Sequence, residues 1–270
     1  MTSLRLDGIG FVYPDGTRAL EAVSLDIPTG RAVAIVGQNG SGKSTLVRQL
    51  NGLLRPTEGR VLHDGQDIAT TRVAALAARV GIAFQNPDRQ IFAGTARGEV
   101  AFGPRILGRP AATVEAAVDA ALDAVGLAEL AGQNPYDLGF SRRKLLALAS
   151  VLAMETPVVV LDEPTTGQDA RGIERVHRSI ERVSAAGRTV IAVSHDLRFV
   201  AERFERVVAL GGGRVLLDGT PAEVFAEAAW PVLRSTNLEP PLAATIGARL
   251  GLGSTPTETS LVEALAERSA

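Results

Sequence analysis

Nine consecutive residues constrain this chain more than any other stretch: Gly37, Gln38, Asn39, Gly40, Ser41, Gly42, Lys43, Ser44 and Thr45. They fit G-x-x-x-x-G-K-[ST], the phosphate-binding P-loop. Glycines at 37, 40 and 42 let the backbone turn tightly and point N–H groups inward. With the positive end of the helix that follows, those groups make a nest for β- and γ-phosphates. Lys43 brings a point charge to the terminal phosphates, and the Ser44 hydroxyl is placed to bind Mg2+. The loop needs a buried strand before it and a helix after it. Residues 31–36 (RAVAIV) are a short apolar, β-branched run of the kind a buried parallel strand requires. Residues 45–50 read as a helix stopped at Asn51-Gly52. Arginine carries almost all the positive charge; the only lysines are Lys43 and Lys144, and one of them falls where a compact ammonium is needed.

The bulk properties narrow the class. The chain has 270 residues, 46% hydrophobic and 21% charged, which is globular material with ample substance for a core. A net charge of −2 gives no sign of a nucleic-acid-binding face. The absence of cysteine excludes a disulfide framework and a thiolate metal site. Residues 145–161 form the most apolar run, but Glu155 and Pro157 break it, so it does not read as a membrane span. The N-terminal residues alternate polar and apolar with no signal-peptide core. Any membrane association is expected to run through a partner.

In chain order, residues 4–13 and 19–27 alternate with period two around Asp15-Gly16, an antiparallel pair ahead of the nucleotide strand. Tyr13 ends the first of these, either as a half-buried strand tyrosine or as an aromatic face on which adenine stacks. A further short hairpin covers 60–63. Residues 80–84 (VGIAF) are a buried strand ending at Gln85, and ligand sites in open α/β sheets gather at such carboxyl edges. From 111 to 130 alanine dominates, with Val114, Val118, Leu122 and Val125 at helical spacing, so a helical insert is expected from about 86 to 154. Ser141 is a candidate N-cap for a helix over 142–154. Residues 158–161 (VVVL) run into Asp162-Glu163, the Walker B arrangement: Asp162 to hold Mg2+, Glu163 to orient and deprotonate the attacking water. Residues 188–193 form another buried strand, ending at Ser194-His195-Asp196, where His195 can sense or neutralise a γ-phosphate. A terminal hairpin surrounds Gly211-Gly212-Gly213, and Thr220-Pro221-Ala222-Glu223 is a capping box. Beyond about 231 the chain reads as an appendage with helices over 242–250 and 261–266, the second capped by Ser260.

Together these residues resemble the ATPase subunits of ATP-binding cassette (ABC) transporters. Tyr13, the loop 37–45, Gln85, LDEPTTGQD at 161–169 and SHD at 194–196 occur in family order. The resemblance implies a P-loop NTPase: a RecA-like α/β core with an antiparallel β subdomain and an inserted α-helical subdomain. It implies an ATPase domain over 1–230, with the helical subdomain at about 86–154, and a C-terminal helical segment over 231–270 suited to dimerisation. ATP and Mg2+ would be the ligands, with Ser44, Gln85 and Asp162 as metal donors, Glu163, His195 and Gln85 catalytic, and Asp169 in the D-loop. Residues 84–104 and the tail are similar to the energy-coupling-factor type, which drives uptake of vitamins or of cobalt and nickel. Partners would then be a second ABC ATPase subunit, a transmembrane coupling subunit and a substrate-binding membrane subunit, at the cytoplasmic face of the membrane. A soluble ABC ATPase of cofactor assembly or repair is the other reading.

One departure from the family is large. Its Leu-Ser-Gly-Gly-Gln signature, which closes over the nucleotide of the partner subunit, here reads Leu138-Gly139-Phe140-Ser141-Arg142. The resemblance therefore implies a weak contribution to the partner's site, and a heterodimer rather than a homodimer.

Overall fold

The computed structural model describes residues 2–269. The chain divides into two units. The P-loop unit holds Ser3–Ile27, Ala32–Ala69 and residues 193–269; the helix-rich unit holds Thr2, Pro28–Arg31 and Thr70–Ala192.

In the P-loop unit, β1 (Leu4–Val12) and β2 (Arg18–Ile27) pair antiparallel, with Leu4 opposite Ile27 and Leu6 opposite Leu25. The alternation read from the sequence puts these four side chains in the core. Strand β3 (Ala32–Val36) is buried at every residue and feeds the P-loop, which leads into α1 (Lys43–Leu50). Strands β4 (Glu58–His63) and β5 (Gln66–Asp67) extend the antiparallel sheet in the order β2-β1-β4-β5.

The helix-rich unit continues with α2 (Val73–Ala77) and β6 (Val80–Ala83), then α3 (Ala96–Ile106), α4 (Ala111–Ala124) and α5 (Phe140–Ala153). Next come β7 (Val158–Asp162) and α6 (Ala170–Ala185). Strands β6 and β7 are parallel, Val80 opposite Val158 and Ala83 opposite Leu161. Their residues are buried throughout, as strands covered on both faces must be. Strand β8 (Thr189–Ser194) begins in this unit and ends in the other.

Back in the P-loop unit follow α7 (Leu197–Arg203), β9 (Arg206–Gly211), β10 (Arg214–Gly219), α8 (Pro221–Val224), α9 (Trp230–Ser235), α10 (Leu242–Arg249) and α11 (Glu258–Ser269). Strand β9 runs parallel to β3, and β10 returns antiparallel to β9. The capping box forms as read, Thr220 accepting from the Glu223 N–H and the Glu223 carboxylate from the Thr220 N–H. The tail is tied to its unit by the ion pair Arg198–Glu258 at 3.0 Å and by Ser254 Oγ donating to the Ala222 carbonyl.

Two local expectations need correcting. Helix α5 starts at Phe140 with Gly139 as N-cap, so Ser141 lies inside the first turn and caps nothing. Helix α11 starts at Glu258, and Thr257, not Ser260, does the capping: its Oγ1 accepts from the Ser260 N–H at 3.1 Å. Helix α3 forms although Gly98, Gly103 and Pro104 argue against it. Tertiary bonds outweigh the propensity, because the buried Glu99 carboxylate accepts from the N–H groups of Phe92 and Ala93 at 3.0 and 2.9 Å.

Gln90 fastens the segment after Gln85 to α5. Its Oε1 accepts from the Phe84 N–H at 3.1 Å, and its Nε2 donates to the Ala147 carbonyl and to Ser150 Oγ, each at 2.9 Å. Replacing Gln90 with leucine takes the side-chain acceptor from the Phe84 N–H and removes two donated bonds from α5. Urea unfolding of Gln90→Leu should register a loss of about 1–3 kcal/mol; an unchanged midpoint would show that the clasp carries no stability.

Candidate nucleotide site

Within the P-loop unit the glycines are set by space as well as by conformation. Gly42 precedes α1 at φ 99°, and a Cβ there would lie 2.4 Å from the Ala19 carbonyl oxygen. Gly37 has φ 155°, and a Cβ on it would lie 2.4 Å from the Leu210 carbonyl oxygen and 2.5 Å from Ser41 Oγ. Gly40 at φ 82° has open space around it, so only its left-handed backbone calls for glycine. The loop thus leaves its concave face to backbone N–H groups. The first turn of α1 has no side-chain cap and no acidic residue of its own, so its positive end suits an anion. Ser41 Oγ is buried with no hydrogen-bond partner among the described residues. Cradle, helix end and buried hydroxyl together fit a phosphate chain.

Lys43 is buried, and its Nζ donates to the carbonyls of Gly37 at 2.7 Å and Gln38 at 2.8 Å, so the ammonium lies over the loop it belongs to. Ser44 and Thr45 follow in the first turn of α1. Tyr13 reaches the same place: its hydroxyl shares a hydrogen bond of 2.8 Å with Thr45 Oγ1, and its ring meets Phe11 edge-on at 4.9 Å. Gln38 and Asn39 border a cavity of about 590 Å3 whose lining includes His195, Asp196, Asn237 and Glu239. His195 is exposed just past β8, between Ser194 and Asp196, whose carboxylate caps α7 by accepting from the Phe199 N–H at 3.0 Å. Asn237 Nδ2 donates to Gln38 Oε1, a contact between tail and P-loop for which the sequence carries no signal.

The other sequence-predicted residues lie in the helix-rich unit. Gln85 is exposed two residues past β6. Asp162 ends β7, and Glu163 follows it; both are buried, at 4% and 5% exposure. Glu163 has φ 53°, a left-handed backbone that costs a non-glycine residue about 1–3 kcal/mol and persists only where its surroundings impose it. Thr166 Oγ1 donates to Glu163 Oε2 at 3.2 Å. Asp169 caps α6, accepting from the Gly172 N–H at 2.7 Å. Leu138 is buried and Arg142 exposed. Hydroxyl, amide oxygen and carboxylate, the donor types of Ser44, Gln85 and Asp162, are hard oxygens of the kind Mg2+ takes.

The first turn of α5 grips the segment after Glu163. Ser141 Oγ donates to Gln168 Oε1 at 2.7 Å, and Gln168 Nε2 donates back to the Ser141 carbonyl at 3.1 Å. The Phe140 ring covers Gly167, where a Cβ would come within 2.8 Å of it. Lys144 Nζ donates to the carbonyl of Glu163 and, at 2.8 Å, to that of Thr166. Burial pushes the Lys144 pKa down to about 8, against the pull of the Glu163 and Asp162 carboxylates that favour its charge. Gln168 and the grip of Lys144 escape sequence reasoning; the scarcity of lysine was the one pointer to the latter.

Gly40→Ala should cost about 1 kcal/mol of stability for its backbone alone. Gly42→Ala, which adds the collision with Ala19, should also abolish the rise in melting temperature on adding MgATP. A full MgATP shift in Gly42→Ala would refute the cradle.

The ABC transporter family profile matches residues 20–166, more than half of the chain. The energy-coupling factor transporter ATP-binding protein EcfA of Methanothermobacter thermautotrophicus is 38% identical over 96% of this chain and 83% of its own. EcfA2 of Symbiobacterium thermophilum is 41% identical over 96% of this chain and 93% of its own. Among solved structures, cbiO1 from Clostridium perfringens, described as part of the ABC transporter complex cbiONQ, superposes with a TM-score of 0.76 at 36% identity, covering 92% of this chain and 98% of that one. The chain therefore belongs to the ABC transporter family, with the ABC ATPase fold, among the energy-coupling factor ATP-binding proteins.

Proposed function

We infer that this chain is the ATP-hydrolysing subunit of a membrane importer of the energy-coupling factor type. The observation that carries the reading is the extent of the likeness: it runs over 96% of the chain, tail included, and most of the relatives' own length. That extent favours a transporter subunit over a soluble assembly or repair ATPase. No helix among the described residues is long and apolar enough to cross a membrane; the reading assigns the translocation path to partner chains. Small solutes such as vitamins or cobalt and nickel ions are the expected cargo.

The chemistry we assign is hydrolysis of MgATP. The P-loop N–H groups, Lys43 and the helix end hold the β- and γ-phosphates, and the Tyr13 ring stacks on adenine. Ser44, Gln85 and Asp162 would hold Mg2+, which when bound neutralises charge on the phosphate oxygens. Glu163 takes a proton from water as the water oxygen attacks the γ-phosphorus; the bond from that phosphorus to ADP breaks, giving ADP and phosphate. His195 bonds the γ-phosphate region from the end of β8. Asp169, at the α6 cap, is assigned to the subunit contact.

The working unit we propose is a pair of ATPase subunits at the cytoplasmic face of the membrane, coupled to a transmembrane subunit and a substrate-binding membrane subunit. A surface for the coupling chain lies after Gln85, where Phe92 and Ile106 are 58% and 68% exposed and Phe92 stacks edge-on with Phe102 at 4.6 Å. A heterodimer is favoured over a homodimer. Gly139 offers no hydroxyl, and Phe140 and Ser141 are engaged with Gly167 and Gln168 of their own chain. The competent site is then the one built on this chain's P-loop and closed by an intact signature from the partner.

Glu163→Gln in the assembled transporter should lose about 10²–10⁴-fold in turnover while still binding ATP. The wild-type subunit purified alone should hydrolyse ATP poorly, and changing 139–142 to Ser-Gly-Gly-Gln should raise that rate. The open space at Gly139 admits the serine. Robust hydrolysis by the unaltered subunit alone, with no gain from the repair, would contradict the heterodimer.

A further inference from the structure

We propose that Lys144 is a positioning residue for the water-activating carboxylate: its ammonium fixes the turn 163–166 to the first turn of α5 and so sets where the Glu163 side chain points. The inference rests on the assignment of Glu163 as general base and deepens it.

A buried ammonium is costly unless acceptors surround it. Lys144 is 7% exposed, inside a helix whose following residues are the apolar Leu145, Leu146, Ala147 and Leu148. Packing alone would be served by leucine or methionine at this position. What Lys144 does instead is donate to two main-chain carbonyls, Glu163 and Thr166, at the two ends of one turn. That turn holds the left-handed Glu163 (φ 53°), and its Thr166 hydroxyl donates to the Glu163 carboxylate at 3.2 Å. Removing the ammonium therefore frees both the backbone that carries the carboxylate and the residue that bonds it.

The choice of lysine is specific. Among 28 basic side chains only Lys43 and Lys144 are lysines, and both place a compact ammonium on loop carbonyls. The cavity beside Lys144, lined by Leu145, Leu148, Leu161 and Asp162, measures about 20 Å3, room for about one water and not for a guanidinium fork. Phe140 and Ser141 brace the same segment at Gly167 and Gln168, so Lys144 is the innermost of three contacts and the one that reaches Glu163.

The test uses the assembled transporter. Lys144→Met keeps the stem and removes the donors. It should lower kcat about 10- to 100-fold, the scale of a misplaced catalytic group, with KM for ATP within about twofold, because no phosphate contact is touched. A merely structural lysine would move both constants, or neither. In this cysteine-free chain Lys144→Cys provides the second variant. Alkylated with 2-bromoethylamine in denaturant, checked by mass, refolded and reassembled, it regains an ammonium of nearly lysine's reach and should regain kcat over the unalkylated protein treated alike. Near-normal kcat in Lys144→Met, or alkylated Lys144→Cys no faster than unalkylated, would overturn the proposal. Glu163→Gln run alongside separates the layers: normal turnover there removes the general base itself, whereas a dead Glu163→Gln beside a normal Lys144→Met removes only the positioning role.

Discussion

Strands buried on both faces cannot carry polar side chains along their length, so in this chain the chemistry collects where such strands end. Strand β3 is apolar at all its positions and is followed by the P-loop. Strand β6 leads to Gln85, β7 to Asp162 and Glu163, and β8 to His195. Each functional candidate is the first polar side chain its backbone permits, or close to it. The elements that follow then fix its geometry: α1 for the P-loop, the cap of α7 beside His195, and the turn at 163–166 for Glu163.

That turn ties together two features that look unrelated in sequence. The first turn of α5, which carries most of the altered signature, and the segment 162–169 meet through Phe140 on Gly167, Ser141 on Gln168 and Lys144 on the carbonyls of Glu163 and Thr166. The side chains that depart from the family pattern are therefore not idle replacements. They take part in an internal clasp, the hydroxyl bonded to Gln168 and the ring set against Gly167. On the proposed assignment, a subunit built this way is suited to holding Glu163 in place and ill suited to completing a neighbour's nucleotide site.

Much of this was legible in the sequence, because it rests on local rules. Glycine spacing, apolar runs and the first polar residue after them located the glycine loop after β3 and the strand-end positions of Asp162-Glu163, Gln85 and His195, and period-two alternation located β1 and β2. What was not legible depends on partners distant in sequence. Ser141 has the composition of an N-cap, yet its hydroxyl finds Gln168, 27 residues on. Helix α3 carries two glycines and a proline and forms because Glu99 satisfies the backbone before it. Gln90 and Asn237 are ordinary loop amides until the fold supplies Ala147 and Gln38. Polar side chains with several possible acceptors do not announce which one they take.

The central claim is that the two nucleotide sites of the assembled ATPase pair are unequal, the competent one belonging to this chain's P-loop. Vanadate trapping with a photoreactive ATP analogue in the assembled transporter tests it most directly, because the label reports which P-loop held the nucleotide after hydrolysis. The account predicts trapped ADP crosslinked to this chain, with little on the other ATPase subunit. Equal labelling of two ATPase subunits, or trapping on the partner alone, would contradict it.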